Sequence, residues 1–285
     1  FTTNAALIVS DGAQARIGEG TSHLYLRSAD ELQPREVPGS ENGAFPFFNP
    51  EGTSLAFFAN GQLLKVAVTG SRTELLAEGA AIRGATWSTS GWVVASNGTR
   101  LAKIPAMGGA AQVFTQLDSG KGETGQINPV ALADGKTVLY ASYAMGGAVN
   151  SRIGVASISD GATTILALPG SFPLGVLDGY LVYTTAAGTV MAAPFDLAGR
   201  RITGTPIALI DQAAVDVSQG FSYAQMAADG SLVYVSGVPR RQMAMVGADG
   251  VSHTVGEVGS YSWPRLSSDG KRLAVAVGSL SQRDV

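Results

Sequence analysis

Residues 45–59 read FPFFNPEGTSLAFFA. The stretch divides into an apolar strand, a tight turn at Pro50-Glu51-Gly52 and a second apolar strand. Gly52 accepts the positive φ that such a turn demands, and a small or acidic residue before it bonds its own backbone. The pattern returns along the chain. Ungapped equivalents of Gly52 are Gly91, Gly135, Gly179, Gly230 and Gly270, preceded by Ser90, Asp134, Asp178, Asp229 and Asp269. A degenerate copy at Thr3-Asn4 puts Asn in the glycine place. Seven residues before each glycine stand Phe45, Gly84, Asn128, Phe172, Tyr223 and Trp263, and Pro46, Pro129, Pro173 and Pro264 follow four of them.

From Asn4 onward the turns lie 48, 39, 44, 44, 51 and 40 residues apart. A period near 44 is the length of a four-stranded propeller blade. Each turn leads into an apolar run, at 55–58, 92–95, 138–141, 181–183, 232–235 and 273–277. Runs that are apolar at successive positions suit strands buried on both faces. Third strands are predicted at 23–27, 62–66, 100–104, 152–157, 189–195 and 242–246, with a more polar fourth strand after a further turn. No segment holds a helical period through these glycines. The predicted fold is therefore all-β: a single β-propeller of four-stranded antiparallel blades over 1–285, with six blades and seven as the alternative. Partial blades are expected at 1–39 and 258–285, and complete ones at about 40–80, 81–125, 126–170, 171–215 and 216–257. Six blades close if the two partial units share one, and closure removes exposed sheet edges.

Composition narrows the function classes. Charged residues make up only 14% of the chain, with 37 glycines, which suits short strands and many turns. A net charge of −3 lacks the clustered Lys and Arg of a nucleic-acid surface. The pairs Arg200-Arg201 and Arg240-Arg241 read as solvated turn residues. There is no cysteine, which excludes disulfides and thiolate metal sites. The first residue is Phe, so the sequence reads as a fragment or processed form with no signal peptide remaining. The longest charge-free run near the middle, 161–177, contains Pro169, Gly170 and Pro173 and is not expected to span a membrane.

The repeat x-P-x-x-(S/N)-P-(D/E)-G-x-x-(L/I)-A-F, followed by L-x-x-V-x-V-x-G, resembles the WD40-like repeat of TolB-type propellers. Residues 45–70, 179–210 and 261–277 are similar to the C-terminal propeller of bacterial serine/threonine protein kinases. The resemblance runs over nearly the whole chain in order. It implies an extracytoplasmic sensor or interaction platform appended to a signalling kinase. No kinase motif lies on these residues.

Each candidate for chemistry has a structural reading beside it. His23 and His253 fall in distant units without a G-x-S-x-G elbow or a metal-ligand pattern, and read as surface or edge histidines. Residues 120–125 match G-x-G-x-x-G, but a strand rather than a helix is predicted after them, so the match reads as an inter-blade loop. Asp134, Asp178, Asp229 and Asp269 read as turn-forming carboxylates. Asn97-Gly98-Thr99 reads as a hairpin turn rather than a glycosylation acceptor. Phe45, Phe172, Tyr223 and Trp263 either line the channel mouth or pack between blades, and packing is the preferred reading.

The expected function is a non-catalytic platform that binds a protein or small molecule at the channel mouth. No catalytic, cofactor-binding or metal-binding residue is assigned, and no cofactor is implied. The alternatives are a TolB-like periplasmic interaction protein and a propeller hydrolase or lyase with a channel-bound metal. The inter-blade loops 40–44, 80–84, 119–126, 215–221 and 256–261 are the expected contact segments, led by 119–126 and 215–221.

Overall fold

The structure is a computed structural model, and it describes residues 9–10, 23–26, 34–70, 72–78, 84–170, 172–217, 220–236, 241–246, 251–259, 261–267, 272–279 and 282–284. The predicted turns form as their chemistry requires. Gly52, Gly91, Gly135, Gly179 and Gly230 all adopt positive φ, between 67° and 86°. Gly270 and Asp269 lie outside the described residues. Each turn joins two antiparallel strands, and four sheets follow in chain order.

Sheet I pairs Ala44–Phe48, Ser54–Ala59, Gln62–Ala67 and Thr73–Glu78 in sequence order. Sheet II pairs Ala85–Trp87, Trp92–Asn97, Arg100–Pro105 and Gln112–Val113. Sheet III is the longest, with Glu123–Ala131, Thr137–Ala144, Gly147–Ser157 and Thr163–Pro169. Sheet IV holds Phe172–Leu177, Tyr180–Thr184, Val190–Asp196 and Ile207–Ile210. It departs from four strands, because Arg201–Ile202 folds back onto Phe195 and Asp196 before the outer strand begins.

The second strands explain the architecture. Their alternate side chains enter different cores. Leu55 and Phe57 pack with Leu24, Leu26 and Val37, whereas Ala56 and Phe58 pack with Val93 and Ile104. Val94 packs with Val138 and Tyr140, Leu139 with Leu181 and Tyr183, and Val182 with Ala213 and Ala224. Side chains of a strand point to opposite faces in turn. Each sheet is thus sandwiched between its predecessor and its successor in the chain, which is face-to-face stacking of blades. Lys103 adds a polar tie between sheets II and III. Its ammonium lies 5.1 Å from the Trp92 ring centre and donates to the Ile158 carbonyl at 3.1 Å.

Outside these sheets the pairing is shorter. Val9–Ser10, Leu24–Leu26 and Arg35–Glu36 form one three-stranded sheet, and Tyr261–Leu266, Leu273–Ser279 and Gln282–Asp284 another. Between sheet IV and the last sheet, a continuous four-stranded unit was expected. Instead Ala224–Met226 pairs with Leu232–Tyr234, and Arg241–Val246 with Ser252–Gly259, as separate two-stranded sheets. Among the described residues no pairing joins the N-terminal sheet to the C-terminal one.

Two of the predicted loops are structured. Residues 119–126 hold a single 3-10 turn, Ser119–Lys121, and then the opening of Glu123–Ala131, three residues ahead of the predicted strand start. In 215–222, Val215–Asp216 pairs with Phe221–Ser222 as a hairpin. Backbone hydrogen bonding is satisfied in pairs, so polar loop ends this close together gain by forming a ladder.

Candidate functional site

The first strands of sheets I to IV stack side by side, and the 215–222 hairpin turns toward them. Phe45, Gly84 and Asn128 occupy one register and share a left-handed backbone, with φ of 50°, 93° and 51°. In sheets I and III the ladder skips residues at this point, between Ala44 and Phe47 and between Ile127 and Val130. Such a bulge re-aims side chains. Glycine and asparagine tolerate the conformation. A phenylalanine there carries strain of about 1–3 kcal/mol, a cost that recurs at functional sites.

Phe45 is 38% exposed. It meets Phe221 in a T-shaped contact with centroids 5.9 Å apart and planes at 84°. Phe221 in turn meets Tyr223 at 5.4 Å and 74°, and Tyr223 is 42% exposed. Two open rings therefore flank a half-buried one, in the edge-to-face geometry that aromatic quadrupoles favour. Asn128 secures the hairpin by donating its Nδ2–H to the Gly220 carbonyl. A Cβ on Gly220 would stand 2.5 Å from the Tyr143 hydroxyl and 2.9 Å from Ile127 Cδ1, at a φ of 81°. The cluster thus joins sheet I, sheet III and the hairpin through residues far apart in sequence.

Charge is sparse at this site. The first strands of sheets I to IV carry one ionisable side chain, Glu123, and it is buried. Its Oε2 accepts from the Asp118 amide at 2.9 Å and from Gln126 Nε2 at 3.1 Å. Gln126 Oε1 accepts from the Thr115 hydroxyl at 2.5 Å and the Leu101 amide at 3.3 Å. Burial first, and then the Glu123 charge, push the Tyr140 hydroxyl far above its ordinary pKa. It stays a neutral phenol at any physiological pH. This network staples sheet II to sheet III by hydrogen bonds that low polarity strengthens.

The remaining candidates are placed as follows. His23 bonds Glu36 Oε1 at 2.7 Å on the N-terminal sheet, and His253 is exposed opposite Met245 on another. No helix follows residues 120–125, and Asp118 caps the 3-10 turn by accepting from the Lys121 amide at 3.2 Å. Arg201 pairs with Asp196 at 3.1 Å, and Arg200 donates to the Ala162 carbonyl. Arg240 and the Arg241 side chain lie outside the described residues. Asn97-Gly98-Thr99 is the hairpin turn between two strands of sheet II. Among the described residues no cluster of three His, Asp or Glu is set to hold a metal ion. No helix among them is long and apolar enough to cross a membrane.

The preferred reading of the register aromatics is corrected in part. Phe172 is 2% exposed and packs inside, but Phe45 and Tyr223 are open. The Trp263 side chain lies outside the described residues. Sequence reasoning named the segments 119–126 and 215–221 but not the individual roles of Phe221 and Gly220, nor the Thr115–Glu123–Gln126 network beneath which the Tyr140 hydroxyl is buried. The available signal for the first was Phe45 itself, a bulky residue where its equivalents are Gly84 and Asn128.

Similar solved structures define the class. The chain superposes on TolB from Acinetobacter baumannii with a TM-score of 0.53 and 16% identity, over 72% of this chain and 51% of that one. It superposes on a gluconolactonase from Xanthomonas campestris with a TM-score of 0.51 and 13% identity, over 96% of this chain and 91% of that one. A luciferin-regenerating enzyme gives a TM-score of 0.51 and 10% identity, over 82% and 83%. The chain spans about half the length of that TolB. At these identities the likeness shows the fold: the chain is a β-propeller. No protein-family model matches it. No curated protein matches it in sequence.

These structures overturn one expectation. A chain of this fold was read as not an enzyme, yet two of the three are enzymes by name. The propeller architecture therefore gives no ground for excluding catalysis. The solved structures also do not carry the resemblance to kinase-attached propellers.

Proposed function

We propose that this propeller is a ligand- or protein-binding platform whose contact site is the axial cluster of Phe45, Phe221 and Tyr223. The observation that carries the reading is Phe45. Its ring is open to solvent, it sits on a strained backbone, and its nearest aromatic contact comes from a distant hairpin. A residue retained only for packing would be buried on a relaxed backbone.

The platform is read as six blades, with boundaries at about 40–80, 81–125, 126–170, 171–215 and 216–257. The segments 1–39 and 258–285 share the sixth. The stacking of alternate side chains in chain order supports this arrangement. The resemblance of 45–70, 179–210 and 261–277 to kinase-attached propellers supports a sensor outside the cytoplasm of a bacterium. The resemblance of the repeat to TolB-type propellers supports a protein partner at that cluster as the second reading.

Thermal shift against a mixed library of metabolites, saccharides and short peptides tests the site. A ligand at a hundredfold excess over its Kd stabilises the folded state by about 2.7 kcal/mol. Hits are expected to raise the melting temperature of the wild type and to lose that effect in Tyr223→Ala. Hits that shift both proteins equally would refute the axial assignment.

A further inference from the structure

We infer that the surface around Phe45 and Tyr223 takes a neutral saccharide; this rests on the Phe45–Phe221–Tyr223 cluster being the binding site. Three features of this surface point to that chemistry.

The first is the lack of cationic side chains on the first strands of sheets I to IV, among the described residues. An anionic ligand needs Lys, Arg or a helix terminus to meet it. These strands offer none, and their single carboxylate, Glu123, is buried with Oε2 accepting two hydrogen bonds. Asp216, on the hairpin, is already engaged. The second is the open pair of rings. The faces of Phe45 and Tyr223 present the negative side of an aromatic quadrupole. The polarised C–H face of a pyranose is a neutral partner for such a surface.

The third is an amide pair beside Phe45. Asn42 lies three residues before it and donates from Nδ2 to Asn60 Oδ1 at 3.1 Å. Both side chains are exposed on left-handed backbone, with φ of 61° and 51°. After that bond Asn42 keeps its amide oxygen and one N–H, and Asn60 keeps both of its N–H groups. Donors and acceptors side by side match vicinal hydroxyls, each of which is both.

An extended peptide fits less well. Strand addition needs an unbroken edge of backbone N–H and C=O groups. The left-handed positions at Phe45 and Asn128 interrupt that edge in sheets I and III, where the ladder skips residues.

The test is a titration of the full chain with neutral oligomers of β-1,4-glucose, α-1,4-glucose and β-1,4-N-acetylglucosamine. Oligogalacturonate is the charged control and a proline-rich peptide the apolar one. Binding is read by aromatic fluorescence and saturation-transfer NMR. At least one neutral oligomer is expected to bind, with Phe45→Gly and Tyr223→Ala each weakening it about tenfold or more. Phe45→Gly relieves the backbone strain, so its melting temperature is expected to equal or exceed that of the wild type. Failure of every neutral oligomer at millimolar concentration would overturn the saccharide assignment. If the peptide then binds and Phe45→Gly abolishes it, the axial site stands with a different ligand. If some ligand binds and neither variant weakens it, both readings fall.

Discussion

Sheet III and the strand pair after sheet IV use the same sequence pattern and end in different states. The second strand of sheet III places Val138, Leu139, Tyr140 and Ala141 fully out of solvent. Its counterpart, Leu232–Tyr234 with Val235 next, is as apolar, yet Val233 and Val235 are 49% and 55% exposed. Sheet III has a neighbour on each face: Tyr140 packs with Val94 and Leu101, Leu139 with Leu181 and Tyr183. Among the described residues, Leu232 packs against a single core, that of Val182, Ala213 and Ala224. An apolar run thus marks a strand, but its burial is supplied by adjoining sheets. Stability in such stacks is a nearest-neighbour property.

That contrast is open to a direct break. Leu139→Ala removes side-chain atoms from a core with no room to collapse. A loss of about 2–5 kcal/mol is expected. Val233→Ala, on the open face, is expected to cost within about 0.5 kcal/mol. Urea titration of both variants decides it. Equal losses would mean that Val233 is covered in solution and that the two regions do not differ.

The hairpin between these regions borrows its burial from sheet III. Gly220 is buried against Ile127 and Tyr143 and is bonded by Asn128. Gly220→Ala is therefore expected to cost about 1–3 kcal/mol, through a strained φ and a contact too short for a methyl group. Hydrogen exchange sharpens the comparison. Amides of 215–222 are expected to lose protection while those of 137–144 keep it. Loss of protection in both would show that hairpin and sheet III open as one unit.

The same contrast explains what was legible from residues alone. The turn glycines and second strands were readable because positive φ and two-faced burial are local demands on residue type. The aromatic register at Phe45, Phe172 and Tyr223 was readable too, but not its outcome. In sheet I the ladder skips at Phe45 itself, so its ring leaves the sheet. In sheet IV the skip falls between Pro173 and Gly175, and Phe172 stays paired with Thr184 and buried. Placing the bulge at the aromatic or beyond it decides whether that side chain stays paired in the ladder or leaves it. Nothing in the repeat specifies where the bulge falls. The 215–222 hairpin was hidden for a related reason. Its seat is built from Asn128 and Tyr143, whose nearness to Gly220 is a product of how the sheets and the hairpin pack together.

The smallest expected effect compares the same turn in the two regions. Asp134 Oδ1 accepts from the Lys136 and Thr137 amides, both at 2.9 Å, and Oδ2 from the Thr137 hydroxyl at 2.7 Å. Burial works against the charge, but these bonds outweigh it and hold the carboxyl below its ordinary pKa. Asp229 is lowered by the Ser231 amide and then by the Ser231 side chain. A carboxyl with a depressed native pKa binds fewer protons folded than unfolded. Its stabilisation is complete above the unfolded value of about 3.9 and is lost as pH falls through the native value. The wild type is therefore expected to melt above Asp134→Asn at neutral pH, with the gap closing in acid below about pH 4. Asp229→Asn is expected to follow the same course with a smaller gap, since Asp229 draws its bonds from one residue where Asp134 draws them from two. A gap that stays constant into strong acid would show that the Asp134 charge does no stabilising at this turn. The loss would then belong to hydrogen-bond geometry alone, and the two turns would differ in shape rather than in electrostatics.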